Sequence, residues 1–144
     1  MCAIIIKSHQ EGLNMLWNNS LETGIPKIDE QHKELFRQAD ILLDRGKDDR
    51  IPQTIDFLAK YVAKHFSDEQ VMHASSQYPK ALAHKQLHVD FVKRFKDLKQ
   101  RYEAAGHSLQ SVMDINRLVM GWLKEHIMVH DKEFANYYKM KTGK

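Results

Sequence analysis

Histidine and carboxylate residues recur in this chain at spacings that could assemble a metal site. His84 and His88 stand four apart, as do His65 and Glu69 and, further on, His126 and His130. On a helix, residues four apart lie about 40° from one another around the axis, so each pair aims at one point. These positions also coincide with apolar stripes. His84 and His88 share a face with Phe91, Phe95 and Leu98, while His65 and Glu69 continue the stripe Ile55, Leu58, Val62. His32 falls between Ile28 and Leu35, and His126 between Trp122 and Val129. One imidazole in a core is ordinary and needs only a hydrogen bond. Five imidazoles converging with a carboxylate would lose their hydration for nothing in return, unless cations held them. Imidazole with carboxylate suits iron, zinc, manganese or copper, and a single cysteine, Cys2, excludes a thiolate-rich site.

The elements that must position these side chains are four amphipathic helices. Apolar periodicity predicts the first from Ile28 to a stop at Gly46 and the second from Pro52 to Ser75-Ser76. It predicts the third from near Pro79 to Ala105-Gly106, and the fourth from Ser108 through Val129. No segment alternates as a strand would. Connections of a few residues join only neighbouring antiparallel helices, so the expected architecture is all-α, an antiparallel up-down-up-down four-helix bundle. With 144 residues, of which 42% are hydrophobic, one domain over 1–144 is expected, its bundle spanning 23–140. Residues 1–22 are the expected N-terminal arm, most of it without helical periodicity.

The fourth helix leaves one choice open. His130 is the ideal helical partner of His126, whereas Asp131, five residues on, lies about 140° away. Yet the apolar pattern changes phase there, from Val119, Trp122, Val129 to Phe134 and Tyr138, and a local bulge or kink would turn Asp131 inward. Periodicity does not decide between the two.

Charge and hydropathy narrow the partners. The net charge is +3, and basic residues are interleaved with acidic ones, as in Lys93-Arg94-Phe95-Lys96-Asp97, so no nucleic-acid partner is expected. No apolar run approaches the ~20 residues of a membrane span, and a cytoplasmic location and a monomer are the expectations. His73 extends the second helix's stripe and is read as core or as support for the site, with His9 and His107 in the arm and a loop. Tyr137 and Tyr138 are read as packing residues.

The motifs Thr23-Gly24-Ile25, Ile28-Asp29-Glu30-Gln31-His32, His65-Phe66-Ser67-Asp68-Glu69, His84-Lys85-Gln86-Leu87-His88 and Trp122-Leu123-Lys124-Glu125-His126, followed by Asp131, resemble the hemerythrins, the bacterial single-domain form most closely. The resemblance runs from about Met15 to Tyr138. It implies two iron ions with a bridging oxide or hydroxide, His84, His88 and His126 on one iron, His32 and His65 on the other, and Glu69 and Asp131 as bridges. It thereby selects Asp131 over His130. Such a ligand set fills all but one of the positions that two octahedral irons offer, and the open one falls on the iron with two histidines.

The activity the resemblance implies is reversible dioxygen binding for carriage, storage, delivery or sensing, with an oxygen-consuming enzyme as one conceivable recipient and no catalytic residue required. Leu123, Trp122, Val129 and Phe66, each within a turn of a ligand position, are the expected apolar lining of the oxygen pocket. Two rivals differ in class: a di-iron redox enzyme acting on peroxide or nitric oxide, which would want an added acid, base or electron partner, and a bundle whose metal only stabilises the fold. A stabilising site should be coordinatively saturated, which the open position argues against.

Overall fold

The computed structural model describes residues 17–44 and 49–143. After a short 3-10 turn, Asn19–Leu21, the chain forms α1 (Pro26–Ile41), α2 (Ile51–Ser75), α3 (Ala81–Ala104) and α4 (Leu109–His126). A π-helical turn, Ile127–Asp131, carries α4 directly into α5 (Lys132–Thr142). Contacts of α1 with α2, α2 with α3, α3 with α4 and α1 with α4 close a four-helix bundle, as the periodicity predicts. The expected stop at Gly46 and the arm as far as residue 16 lie outside the described residues. Just beyond them, Trp17 packs edge-on against Phe36, and Leu21 is buried.

Local chemistry sets where the helices begin and end. Pro26 and Pro52 occupy first-turn positions, where a missing N–H costs nothing. The Ser108 hydroxyl accepts from the Ser111 N–H and caps α4. Gly106 and His107 both take positive φ, which reverses the chain after α3 and lets His107 N–H donate to Tyr102 O. Ahead of α1, the Asp29 carboxylate accepts from Thr23 N, Thr23 Oγ1 and Gly24 N, pinning the incoming loop to the helix that carries His32.

Two apolar clusters fill the interior. The larger runs from Leu42, Tyr102 and Val112 along the bundle to Phe66, Leu123 and Ile127, and the smaller joins Ile25, Ile28, Tyr78, Phe134 and Ala135. Buried histidines and carboxylates lie between them, with Phe66 stacked on His88 on one side and Phe134 edge-on to His73 on the other. The α1–α4 seam is tied by Asn116, whose side-chain amide donates to Ala39 O at 2.6 Å.

Candidate metal centre

The six side chains singled out by type and spacing, and Asp131, which the resemblance selects, meet at one place. His32 comes from α1, His65 and Glu69 from α2, His84 and His88 from α3, His126 from the end of α4, and Asp131 from the end of the π turn; all seven are buried. Their potential ligand atoms fall into two groups, each within 4.8 Å: Glu69, His84, His88, His126, Asp131, and His32, His65, Glu69, Asp131. The two carboxylates belong to both groups.

The π turn explains how Asp131 enters. Its wider winding brings residues five apart onto one face, and Asp131 Oδ1 lies 3.0 Å from His126 Nε2. The same extra residue leaves Met128, Val129 and His130 outside the cluster, while Ile127 packs into the core. His130 is half-buried beside the cluster, with its ring centroid 5.4 Å from that of His126. Val129 is 52% exposed, so the expectation that it lines an oxygen pocket fails: the π turn directs it to solvent.

Each carboxylate divides its oxygens between the two groups. Asp131 Oδ1 faces His126 and His84 at 3.0 and 3.1 Å, while Oδ2 faces His32 at 3.0 Å. Glu69 Oε1 faces His84 and His88 at 2.7 and 3.5 Å, while Oε2 faces His65 at 3.9 Å. None of these four oxygens has a hydrogen bond within the described residues. The imidazoles converge through like atoms: His32 and His65 Nε2 stand 3.1 Å apart, His84 and His126 Nε2 2.9 Å, and His88 and His126 Nε2 3.1 Å.

These observations test whether a metal pair fits. Two donors at right angles on an ion, with metal–nitrogen bonds of about 2.1 Å, stand about 3 Å apart. The convergent nitrogens have that separation. Four orphaned, buried carboxylate oxygens also require a positive partner. The donor set therefore fits two adjacent cations sharing two carboxylates.

Burial and mutual charge shift the proton affinities of these groups. Burial and the Asp131 charge push Glu69 up, but the His84 and His88 imidazoles beside Oε1 outweigh them and hold it at about 2. Asp131 is raised by burial yet held well below the usual carboxylate range by His126, His32 and His84. Burial would lower His84, but Asp131 and Glu69 raise it to about 9, so this ring carries a proton between the two carboxylates. Burial, helped by His32, drives His65 down to about 3.

Supporting residues orient the rings. His65 Nδ1–H donates to Gln31 Oε1 at 2.7 Å, which leaves the Nε2 lone pair facing the cluster. Gln31 Nε2 donates in turn to Asp68 Oδ2 at 2.8 Å, and Lys27 Nζ lies 3.6 Å from the same oxygen. The Gln70 amide lies 3.3 Å from His88 Nδ1. Gln31 and Gln70 escape a reading by apolar stripes because each flanks a stripe; their adjacency to His32 and Glu69 was the available signal. Phe66 stacks on His88, its ring centroid at 3.8 Å, and Trp122 stacks on His126 at 4.2 Å, so both shield the three-histidine half. Phe66 also meets His65 at 5.8 Å, and Leu123 is buried in the adjoining core.

Comparison with known proteins agrees with this geometry. The family profile described as Hemerythrin HHE cation binding domain matches residues 23–138. A bacteriohemerythrin of Clostridium acetobutylicum is 33% identical over 130 residues, covering 84% of this chain and 98% of that protein. A bacteriohemerythrin of Pseudomonas aeruginosa is 30% identical over 127 residues, covering 85% and 80%. A myohemerythrin of Theromyzon tessulatum is 30% identical over 118 residues, covering 82% and 88%. Among the described residues, no helix is long and apolar enough to cross a membrane.

Proposed function

The chain belongs to the hemerythrin HHE cation-binding family, and from that premise we propose that it binds dioxygen reversibly at a pair of iron ions in the bundle core. In this reading His84, His88 and His126 hold one iron, His32 and His65 hold the other, and Glu69 and Asp131 span both. The observation that carries it is the matched division of the two carboxylates, one oxygen to each group of imidazoles. Iron held by these residues would supply the redox chemistry that reversible dioxygen binding requires.

The protein's own part is to hold, shield and leave one place free. Three imidazoles and two carboxylate oxygens crowd one half of the site, whereas two imidazoles and two carboxylate oxygens face the other. The small ligand therefore belongs on the His32–His65 half. The Gln31 hydrogen bond fixes the His65 tautomer, so that this half keeps its geometry when the ligand leaves. Phe66 and Leu123 supply apolar walls, and Trp122 closes the neighbouring half, which keeps water from the buried charges. His130 stands outside both groups of candidate ligands, beside the rings of His84 and His126.

Anaerobic loading with ferrous iron, followed by alternating air and argon, tests the proposal. Optical bands that rise with air and vanish under argon over repeated cycles support it. A single irreversible change on first exposure to air refutes reversible binding by the isolated protein.

A further inference from the structure

His73 is a sixth buried imidazole at the edge of the cluster, and it belongs to neither group of candidate ligands. It stands one helical turn after Glu69 on α2, with Nε2 3.5 Å from Glu69 Oε1. Its ring is packed against His84 at 4.5 Å, Phe134 at 4.2 Å and Tyr78 at 5.1 Å between centroids, so its direction is set by contacts on three sides. Both ring nitrogens are sealed from solvent, and neither has a hydrogen bond within the described residues. A neutral imidazole must carry one N–H, and burying that donor without an acceptor is costly. Glu69 Oε1, 3.5 Å from Nε2, is the acceptor within a small ring adjustment of this donor.

We propose that His73 is a positioning residue for the iron pair: its Nε2–H donates to Glu69 Oε1 and holds this carboxylate in its bridging orientation. The inference rests on the proposed role of Glu69 as a bridge. Once His84, His88 and His126 give their Nε2 lone pairs to a cation, none of them can donate to Glu69, and His73 is the imidazole left to do so. Its hydrogen bond occupies one lone pair of Oε1 and leaves another for the cation. It also keeps the carboxylate from swinging away when the site is empty, so that the first cation meets preorganised oxygens. Because Oε1 is the oxygen on the three-histidine side, the effect falls chiefly on that half.

The full-length protein and its His73→Leu, His73→Met and His73→Gln variants, each first shown to be folded by circular dichroism, are loaded anaerobically with ferrous iron. Iron retention against a chelator and the optical spectrum of the oxidised pair are then recorded. A glutamine amide reaches about as far as imidazole Nε2 and keeps a donor; leucine and methionine fill the space without one. The proposal predicts roughly 10- to 100-fold weaker iron retention and a shifted spectrum in His73→Leu and His73→Met, both largely restored in His73→Gln. Three variants indistinguishable from the parent overturn it, as do three variants equally impaired, which would make His73 a packing residue. A parent chain that fails to take two irons overturns the underlying assignment instead, and the inference falls with it.

Discussion

His126 Nε2 and Asp131 Oδ1 lie 3.0 Å apart although five residues separate them, a register available only because the chain winds as a π helix from Ile127 to Asp131. The turn places a carboxylate where regular α-helical winding would place His130. Asp131→Ala should therefore lower iron from two ions per chain to one or none, while His130→Ala should retain two. Metal analysis after gel filtration reads both. Iron loss in the His130 variant alone would mean that the partner on this helix is misassigned.

Glu69 stands between both groups of imidazoles, so its loss should not spare either iron. Glu69→Ala is expected to lose both ions or to bind them with an altered spectrum. Removing His65 alone should be milder, because the three-histidine half keeps its own donors. A Glu69→Ala protein with two irons and an unchanged spectrum would show that Glu69 is not a bridge.

The chain of contacts from Lys27 through Asp68 and Gln31 to His65 predicts an effect at a residue that touches no cation. Gln31→Leu removes the acceptor of His65 Nδ1–H and should weaken iron retention roughly 10- to 100-fold. Gln31→Glu, which preserves an acceptor, should restore most of it. Chelator competition on the three proteins distinguishes these outcomes, and equal retention in all three would remove Gln31 from the account.

The metal-free protein should be most stable near pH 6.5. Burial holds His65 at about 3 and His73 at about 4, whereas in the unfolded chain both take up protons below their ordinary value of 6.5, so stability is lost as pH falls from there. His84 has the opposite sign. Burial opposes its charge, but Asp131 and Glu69 raise it to about 9, giving stability that is complete below 6.5 and lost as pH rises through 9. Melting temperatures of chelator-treated protein should fall on both sides of the maximum. Iron occupying His84 Nε2 should abolish the fall between 6.5 and 9. A metal-free protein that grows more stable across that interval would contradict the assignment of the proton to His84.

Much of this was legible in the sequence because the polar residues replace apolar ones in phase. Periods of three and four place His32, His65, His84, His88 and His126 on buried faces without any knowledge of the neighbouring helices. Asp131 was ambiguous for a physical reason: its inward direction depends on the π turn, and the only local trace of that turn is the phase change between Val129 and Phe134. Val129 was misplaced by the same omission, since extrapolating the α-helical period carries it inwards. Phe66 and Trp122 were recognised as neighbours of the site, but which imidazole each covers depends on helix packing. His73 could be placed in the core, yet its distance from Glu69 Oε1 depends on Phe134 and Tyr78, residues brought to it by other segments.

The central claim is one small-molecule position for each pair of irons, and gas uptake measures it most directly. Protein loaded anaerobically with two ferrous ions per chain is titrated with dioxygen while free gas is followed by an electrode, and the bound gas is then recovered under argon. The account predicts one dioxygen bound per chain and its return as dioxygen. No uptake, or uptake that cannot be recovered, would contradict it.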